Sequence, residues 1–397
     1  MTEIRPLVWL LLGERLGDNA QIRTLGSMLG LASETKYLRY NGLYQVPNTL
    51  KGASLVSVQR ETRHDLTPPW PDLVILCGRK SVATARWIKK QSKGRTKLIA
   101  IGRPRVGLDI FDLVVTTPQY RVPNEPNVVE LLIPLSGVSE EDLRDARRLW
   151  KSSVADLPEP RIALLVGGDT TTGCLDEVAA DRLGRLASRY AKSRGGSLMI
   201  TTSPRTKFKA AEALINAITV PSKIHRWAPG LSTPNPYLGF IGMADEVIVT
   251  CDSASMIADA AVAKKPILLF DVPMQPRNLA IRIQHSLYLY VEDMLGCGAP
   301  LTLCARLLRY LAYTGYLTPP RNMARLYRNV VAAGHASWLV DACVDGNFVR
   351  PFRFEGMTRG VDEAVARIRD LVLPGGDAAD AEDRLADRDH ARGSGVA

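Results

Sequence analysis

A chain of 397 residues is long enough for two hydrophobic cores, and 46% hydrophobic with 23% charged residues is ordinary soluble globular composition. Lysine plus arginine exceed aspartate plus glutamate by 51 to 41, so the net charge of +10 favours an anionic partner. No Lys/Arg block, zinc-finger spacing or aromatic-glycine RNA-binding signature is present, which argues against nucleic acid as partner, and six scattered cysteines without CxxC spacing indicate a reducing cytosol.

The first half of the chain alternates between apolar runs of strand length and segments with apolar residues at helical spacing. The predicted strands are PLVWLLL, PDLVILCG, TKLIAIG, FDLVVTT and NVVELLIPL. The predicted helices are AQIRTLGSMLG, closed by Gly30, the basic segment around KSVATARWIKKQ, and EEDLRDARRLWKSS. The apolar run within MTEIRPLVWLLLGERLG is too short for a signal peptide or a spanning helix.

The pattern starts again at residue 161, after the proline-containing linker ADLPEPR. RIALLVGG, SLMITTS, SKIHRWA, EVIVT and KPILLF are predicted strands, and DEVAADRLGRLASRYAKS, KFKAAEALINAI and MIADAAVAKK are predicted helices. From about residue 301 the chain is predicted to be helical, through RNMARLYRNVVAAGHASWLVDACVDG to VDEAVARIRDLV. The sequence therefore predicts an α/β protein with two Rossmann-like parallel-sheet domains.

Four segments follow from this pattern. We expect an N-terminal domain over 1–155 and a C-terminal domain over 161–345. A C-terminal segment and helix occupies 346–374, and its return to the N-terminal domain is one option. The tail, 375–397, is predicted to be disordered because GGDAADAEDRLADRDHARGSGVA contains few apolar residues.

The stretch from Ala244 to Pro273 carries the most informative functional pattern. It reads as a buried strand, the small polar turn CDSAS, a helix and a second buried strand, which together form a βαβ unit. Free backbone N–H groups and the helix dipole favour an anion at such a turn, and Ser253 and Ser255 could add hydroxyl donors to a phosphate. Asp259 could accept from ribose hydroxyls. Alternatively, one of the two serines only caps the helix.

The loop after the first strand, GERLGDNAQ, could carry the catalytic base. Gly13 and Gly17 allow a tight turn and close approach of a ligand. Glu14 and Asp18 are placed to face a crevice at the sheet edge, where either could act as general base for an acceptor hydroxyl. The alternative is that Asp18 or Asn19 caps the following helix. The spacing is not GxGxxG, so a dinucleotide fingerprint is not supported.

The second domain begins with LLVGGDTTTG, where Gly167 and Gly168 end a strand and Asp169 follows. Successive N–H groups there could form an anion nest, or they could belong to an ordinary turn. The segment lacks the GK[ST] of a nucleotide-hydrolase P-loop, which argues against ATP hydrolysis.

A third group of polar residues follows the strand in MITTSPRT. Thr202 and Ser203 leave the strand end, and Arg205 offers a guanidinium fork for a phosphate. The alternative is a solvent-facing arginine in a loop.

Basic residues in the first domain have two interpretations each. Arg79 ends a strand and could bind an acidic acceptor or be solvated. The segment SVATARWIKKQSKGR combines Trp87 with five cations, which suits an anionic bilayer, unless the helix packs Trp87 inward. His225, His285 and His335 are isolated without metal-ligand spacing, so no metal site is predicted.

Seven phrases occur in the order found in one family: GDNAQIRTLGSMLG, PDLVILCGRKS, FDLVVTTPQY, LLVGGDTTT, ITTSPRT, NPYLGFIGMADEVIVTCDSASMIADAAVAKKPILLF and PFRFEG. The chain resembles the bacterial branch of the mitochondrial-fission "elongated mitochondria" family over nearly its whole length apart from the tail. That resemblance implies a two-domain nucleotide-sugar glycosyltransferase of the GT-B type, with the two domains facing a cleft.

The resemblance also implies where the substrates bind. The donor would bind the C-terminal domain and the acceptor the N-terminal one. ITTSPRT and CDSASM would hold the donor diphosphate, and Asp259 stands where this architecture usually has a Glu that contacts the ribose. The family more often has Glu at that position and Arg at the position of Pro204.

These observations predict a metal-independent glycosyltransferase that moves a sugar from a nucleotide-diphosphate sugar to a lipid-linked or cell-envelope acceptor, with no cofactor besides the donor. The expected catalytic base is Asp18, with Glu14 second. The expected acceptor-side residues are Gly17, Asn19, Gln21 and Arg79. The expected donor-binding residues are Gly167, Gly168, Asp169, Thr202, Ser203, Arg205, Asp252, Ser253, Ser255, Met256 and Asp259.

Two other classes of function remain open at this point. One is a non-catalytic GT-B-like binding or scaffold protein, and the other is a sugar-nucleotide epimerase or hydrolase on the same fold. The expected location is the cytoplasm, with an anionic membrane surface as a further partner at the inner face of the cytoplasmic membrane.

Overall fold

A computed structural model describes residues 6–170, 173–230, 234–273, 302–313, 321–344 and 356–373, together with residues 279, 282, 283, 286, 287 and 316. The predicted disordered tail, His285 and most of PFRFEG lie outside the described residues. The chain divides into two compact units. The first comprises 1–131, 290–319 and 359–397, and the second comprises 132–289 and 320–358.

Each unit is built on one six-stranded sheet in which all pairs of neighbouring strands are parallel. The first sheet has the order β2-β1-β3-β4-β5-β6, with β1 Val8–Leu12, β2 Ser33–Tyr37, β3 Leu73–Cys77, β4 Lys97–Ile101, β5 Leu113–Thr116 and β6 Val128–Glu130. The second has the order β12-β11-β10-β7-β8-β9, with β7 Arg161–Val166, β8 Ser197–Thr202, β9 Ser222–His225, β10 Glu246–Thr250, β11 Ile267–Phe270 and β12 Ser337–Trp338. The prediction of two parallel-sheet domains is confirmed.

Helices connect these strands, as parallel pairing requires. In chain order they are α1 Leu16–Leu29, α2 Asn48–Lys51, α3 Val82–Gln91, α4 Glu140–Trp150, α5 Glu177–Ser193, α6 Phe208–Asn216, α7 Tyr237–Met243, α8 Ala254–Val262, α9 Leu303–Tyr313, α10 Met323–Ala332, α11 Leu339–Ala342 and α12 Val361–Val372. The predicted closure of α1 by Gly30 is confirmed, since Gly30 is left-handed (φ 66°) and donates to Ser27 O.

Strands β1 and β3 are buried along their whole length, as are β8, β10 and β11. Helices cover both faces of such sheets, which is why these strands read as continuous apolar runs. Apolar clusters accordingly pack on both sides of the second sheet, with Leu165 and Val249 in one and Leu164 and Ile248 in the other.

The unit boundary differs from the predicted domain boundary at residue 155. Helix α4 belongs to the second unit because it packs closely on α7. A Cβ added at Gly239 would lie 2.5 Å from the Trp150 ring, and one added at Gly242 would lie 2.7 Å from Leu143 O. These two glycines therefore let the helices approach, and the linker ADLPEPR lies inside the second unit.

Two C-terminal helices belong to the first unit. Helix α9 was predicted within the C-terminal domain, but it lies in the first unit. Helix α12 buries Ala364 and Ile368, and the Arg369 side chain donates to Leu29 O at the end of α1 (3.1 Å). A guanidinium at a helix C-terminus satisfies carbonyl groups that have no partner within the helix.

Four elements differ from the sequence prediction, and one of them is the four-residue helix α2, which was not predicted. The edge strand β2 was not predicted, because its sequence SETKY is polar and largely exposed. Helix α7 was also missed, since its seven residues include two glycines. Ser337–Trp338 was predicted as helix but pairs with β11 as the edge strand β12.

No helix among the described residues is long and apolar enough to span a bilayer. On helix α3 the aromatic residue of the predicted membrane-facing side packs against the protein. Ile88 is fully buried, and Trp87 is half-buried and stacks edge-on against Trp70 with ring centroids 5.6 Å apart. The inward-packing alternative is therefore the one observed.

Candidate functional site

The strand order of the second unit creates one point where consecutive connections leave in opposite directions. From β7 the chain continues to its neighbour β8, whereas from β10 it continues to β11 on the other side. Loops after such a pair of strands diverge and leave a crevice at the carboxyl edge, which is where open α/β sheets bind ligands. We call the residues that follow β7, β8 and β10 (167–169, 203–206 and 251–255) the second switch point.

A buried carboxylate organises this switch point. The Asp252 side chain has no solvent exposure. Its Oδ2 accepts from Gly168 N (2.9 Å) and pairs with Arg205 Nη1 (2.8 Å), and its Oδ1 accepts from Thr250 Oγ1 (2.6 Å). Asp252 thus fastens the ends of three adjacent strands, which is a supporting position rather than a ligand-facing one.

The two glycines permit this arrangement by their lack of side chains. A Cβ at Gly167 would lie 2.1 Å from Asp252 Oδ2, and a Cβ at Gly168 would lie 2.1 Å from Arg205 O. Their N–H groups are already used, since Gly167 N donates to Thr250 Oγ1 (2.8 Å), Gly168 N to Asp252 and Asp169 N to Arg205 O (3.2 Å). The predicted anion nest is therefore wrong, because its donors point into the protein.

Predicted ligands on the same loops also hold the turns together. Asp169 Oδ2 pairs with Lys207 Nζ at 2.8 Å. Thr202 Oγ1 accepts from Trp227 N at 2.9 Å. Ser203 Oγ lies 3.2 Å from the Thr206 hydroxyl and accepts from Arg205 N. These contacts give Asp169, Thr202 and Ser203 structural roles in the turns, and their phosphate-binding role stays a prediction.

Groups that remain directed outward surround the start of α8. Arg205 keeps 40% of its side chain exposed beside Asp252. Ser253 is the residue before α8, but its side chain makes no capping hydrogen bond, and Ser255 is exposed. Arg205 pairs with Asp252, which is three residues from Ser255, a span of at most about 11 Å. Met256, by contrast, packs partly against the core.

Asp259 occupies a closed environment. Its Oδ1 accepts from Ser136 Oγ (2.6 Å) and its Oδ2 from Tyr237 OH (2.9 Å). Burial raises the pKa of Asp259 above its ordinary value, and the two hydrogen bonds partly counter this. These two hydrogen bonds give Asp259 a packing role within the second unit, and its ribose contact stays a prediction.

The first unit has its own switch point, between β1 and β3. The chain continues from β1 to β2 on one side and from β3 to β4 on the other. Across this first switch point Lys80 Nζ pairs with Glu14 Oε2 at 2.9 Å. The predicted acceptor-side residue Arg79 lies there as well, with its guanidinium carbon 5.5 Å from the Tyr44 ring centroid.

Other predicted residues of the first loop have local structural roles. Asn19 clamps the turn, accepting from Gly13 N and donating to Gly13 O, both at 2.8 Å. Helix α1 begins at Leu16 with Arg15 at its N-cap, so neither Asp18 nor Asn19 caps it. Gly17 is helical rather than part of a tight turn.

The remaining two predicted residues of this loop lie on α1. Asp18 is half-buried in the first turn, on the helix that leaves the first switch point. Gln21 donates to Gly17 O at 3.4 Å. The catalytic role of Asp18 stays a prediction, whereas Gln21 bonds within the helix.

The sequence prediction missed four residues that build these two sites. Thr206 and Thr250 bond to the glycine turn, and although they end the phrases ITTSPRT and EVIVT, nothing in those phrases indicates this role. Lys80 follows Arg79 directly at a strand end, which is a signal that could have indicated it. Lys51 is the last residue of the short helix α2, and no sequence pattern indicates it. Among the residues with described positions, no group of three or more His, Cys, Asp or Glu is placed to hold a metal ion.

Comparison with known proteins identifies the family. The family described as "Mitochondrial fission ELM1" matches residues 17–288. The chain belongs to this family, which confirms the resemblance seen in the sequence.

Two relatives are proteins of known sequence. The chain is 27% identical over 221 residues to "Mitochondrial fission protein ELM1" of Arabidopsis thaliana, covering 50% of this chain and 51% of the relative. It therefore spans about half the length of that protein. It is 23% identical over 300 residues to "Uncharacterized protein RP120" of Rickettsia prowazekii (strain Madrid E), covering 67% of this chain and 83% of the relative.

Solved structures resemble the chain at low sequence identity. A UDP-GlcNAc 2-epimerase from Methanocaldococcus jannaschii matches with a TM-score of 0.42 and 12% identity, covering 91% of this chain and 99% of that one. A glycosyltransferase from Rickettsia africae ESF-5 matches with a TM-score of 0.42 and 12% identity, covering 86% of this chain and 100% of that one.

Proposed function

We propose that this member of the Mitochondrial fission ELM1 family is a glycosyltransferase that binds a nucleotide-diphosphate sugar at the second switch point. The observation that carries the proposal is the Arg205 guanidinium, which the buried Asp252 carboxylate holds beside the N-terminus of α8. A fixed cation and a helix N-terminus together stabilise the charge that develops on a diphosphate leaving group. Ser253 and Ser255 add hydroxyl donors at the same turn.

Binding of nucleotide sugars to the full chain tests the donor site. Isothermal titration with a panel of UDP-, GDP- and ADP-sugars should yield at least one ligand. Arg205→Ala should weaken its binding about tenfold or more, because a charge-assisted contact to phosphate is lost. Arg185 is the matched control, since it is exposed and pairs only with Asp181 on α5 among the contacts described.

Arg205→Ala also removes the cation beside a buried carboxylate, so the fold of the second unit needs its own check. Arg205→Lys keeps the positive charge but loses the guanidinium fork, and an intermediate affinity is expected. Equal affinities for Arg205→Ala, Arg205→Lys and Arg185→Ala in folded protein would refute this donor site.

The proposed catalytic base is Asp18. Glu14 is the weaker choice, because its carboxylate is engaged with Lys80. Asp18→Asn should lower turnover at unchanged nucleotide affinity, since the side chain belongs to the first unit and the donor to the second. An equal loss of both would indicate that Asp18 only supports the fold.

A non-catalytic binding protein is the second candidate function. It is favoured by the internal bonding of Asp169, Thr202 and Ser203, which leaves fewer groups to act on a donor. Chromatography with mass spectrometry of donor incubated with the protein and a panel of lipid-phosphate and glycan acceptors separates the candidates. Release of a nucleoside diphosphate, or a product of unchanged mass and different retention time, indicates an enzyme, and intact donor with retained binding in every mixture indicates a scaffold.

The proposed acceptor is a lipid-linked or cell-envelope glycan, reached from the cytoplasm by peripheral contact with an anionic membrane. The net charge of +10 supports this contact. Exposed Leu303, Leu307 and Tyr310 on one side of α9 are the apolar groups that support it in place of α3. Flotation with liposomes should show binding that rises with anionic lipid and falls with salt. Equal recovery on neutral liposomes would remove this part of the proposal.

A further inference from the structure

Three cations meet around one tyrosine at the first switch point. The Lys80 ammonium lies 4.5 Å from the Tyr44 ring centroid, and the Arg79 guanidinium lies 5.5 Å from it. The Lys51 ammonium donates to the backbone oxygen of the same tyrosine at 3.3 Å. Three positive charges are thus gathered at the carboxyl edge of β3, in the crevice that the strand order leaves open.

Only one of the three cations is balanced by a carboxylate. Lys80 pairs with Glu14, whereas neither Lys51 nor Arg79 forms an ion pair with any residue that the structure describes. Lys51 is buried, at 8% exposure. Burial, with a smaller contribution from Arg79, lowers the pKa of Lys51 from its ordinary 10.5 to about 8.

A buried ammonium next to a guanidinium is unfavourable for folding unless something else offsets the charge. An uncompensated cation of this kind in a crevice marks a site where binding of an anion relieves the repulsion. The packing around Lys51 therefore describes a site whose charge is complete only with an anionic ligand.

The loops that carry these cations are fastened to one another. Asn48 is buried, and its side-chain amide donates to Arg79 O (3.0 Å) and to Pro104 O (3.1 Å). The Tyr40 hydroxyl donates to Ser81 Oγ (2.9 Å). These bonds join the loops after β2, β3 and β4, so the cations are held in position before a ligand arrives.

We propose that Lys51 and Arg79, with Lys80 at their side, bind a phosphoryl group in the first unit. Three cations against one carboxylate suit a ligand with more than one negative charge, such as a phosphomonoester or a diphosphate, better than a carboxylate. The guanidinium can engage two oxygens of such a group while the ammonium engages a third. That this phosphoryl group belongs to the acceptor rests on the proposed function, but the binding of phosphate itself does not.

Pyrophosphate is the probe that tests the site, by isothermal titration of the full chain at low salt. Lys51→Met and Arg79→Gln should each weaken the binding about tenfold or more. Lys90→Gln is the matched control, because Lys90 is an exposed lysine of the same unit. Arg205→Ala should also leave the Lys51-dependent component unchanged. Wild-type affinity in both Lys51→Met and Arg79→Gln would overturn the proposal, as would the absence of binding to the wild type.

The pH dependence gives a readout that misfolding would not reproduce. The charged groups around Lys51 are Arg79 and Lys80, with Glu14 across the crevice and Arg86 of α3 bonded to Asn48 O. Wild-type affinity should fall as pH rises through about 8, because Lys51 loses its proton there. Lys51→Met should lack this fall. An identical fall in Lys51→Met would count against Lys51 as the ligand.

Two further binding experiments distinguish a lipid from a soluble molecule as the source of the phosphoryl group. Lys51-dependent binding to phosphatidylcholine vesicles that contain phosphatidic acid indicates a lipid phosphate. Lys51-dependent binding of glucose 1-phosphate without vesicle binding indicates a soluble one. If pyrophosphate binds through Lys51 but no nucleotide sugar binds through Arg205, the proposed function fails and the phosphoryl site stands. The reverse pattern overturns only the phosphoryl site.

Discussion

The two switch points have the same topology but opposite internal chemistry. In the second unit the buried Asp252 carboxylate accepts from Gly168, Thr250 and Arg205, so the Arg205 guanidinium is balanced from within. In the first unit Lys51 and Arg79 have no carboxylate partner among the described residues. The charge at the second switch point is therefore balanced without a ligand, whereas the charge at the first is not.

This difference separates two ways in which a fold can hold a ligand site. At the second switch point most polar groups form hydrogen bonds that hold the loops together. A positioned guanidinium and a helix N-terminus face outward. At the first switch point the positive charges of Lys51 and Arg79 have no carboxylate partner among the described residues, and this lowers the free energy of unfolding. Changes of the glycines at the second should therefore act mainly through packing, and changes of Lys51 and Arg79 at the first mainly through charge.

The largest expected effect comes from a methyl group at Gly168. In Gly168→Ala the new Cβ would lie 2.1 Å from Arg205 O, which is backbone and cannot rotate away. We expect the free energy of unfolding to fall by about 3 kcal/mol and nucleotide affinity to fall with it, because the loop after β8 must move. Urea unfolding, with hydrogen exchange to locate the change in the second unit, measures this.

Gly17→Ala is the matched control in the first unit. Gly17 is helical, and nothing lies within 4 Å of an added Cβ. The change should stabilise by up to about 1 kcal/mol, since alanine favours helix. If both variants behaved alike, the tight packing inferred for the second switch point would be wrong.

A smaller effect, in the stabilising direction, is expected at Lys51. The folded-state pKa of about 8 lies below the ordinary 10.5, so the charged lysine opposes folding fully below pH 8. This penalty disappears as pH rises to the ordinary value. Lys51→Met should therefore raise the free energy of unfolding by roughly 1–3 kcal/mol at pH 7.

Urea unfolding of Lys51→Met and wild type at pH 7 and at about pH 10 measures that effect. The gain should shrink at the higher pH, because wild-type Lys51 is then largely neutral. Lys90→Gln should change stability little at either pH, since Lys90 is exposed. A destabilised Lys51→Met at pH 7 would show that the ammonium is compensated after all, and the comparison between the two switch points would lose its basis.

Much of the fold was predictable because parallel strands buried on both faces leave an unmistakable apolar run, as in LVILC and EVIVT. The elements that were missed lack that signal. β2 is polar because it is an edge strand, and β12 has two residues between helices. The unit boundary was misplaced because α4 is joined to α7 by contacts of Trp150 with Gly239 and of Leu143 with Gly242, pairs that are 89 and 99 residues apart in the sequence.

The candidate site was predictable in position but not in role. Strand ends near Gly168, Arg205 and Ser255 converge because topology brings them together, and sequence order reveals topology. Whether a polar side chain faces a ligand or its own turn depends on partners from other loops, as for Thr202, which accepts from Trp227. Lys51 illustrates the same limit, since only the folded loops place it beside Arg79.

The smallest expected effect is at Asp259, and it sharpens the view that the second switch point bonds mainly inward. Asp259→Asn should change nucleotide affinity by less than about twofold, because both carboxylate oxygens already accept from Ser136 and Tyr237. Its stability effect should also be small, within about 1 kcal/mol. Removal of the buried charge stabilises the protein, and this gain is offset because the Asn amide nitrogen cannot accept one of the two hydrogen bonds.

The pH dependence of unfolding shows whether ionised Asp259 raises or lowers the free energy of unfolding. Burial raises the folded-state pKa of Asp259 above the ordinary 3.8. The wild type therefore loses stability as pH rises from 3.8 to this raised pKa, and Asp259→Asn should lack this loss. Titration with the nucleotide sugar that binds best, alongside unfolding at acidic and neutral pH, measures both quantities. A tenfold loss of affinity at unchanged stability would restore Asp259 as a ribose ligand, because a packing residue would not affect binding alone.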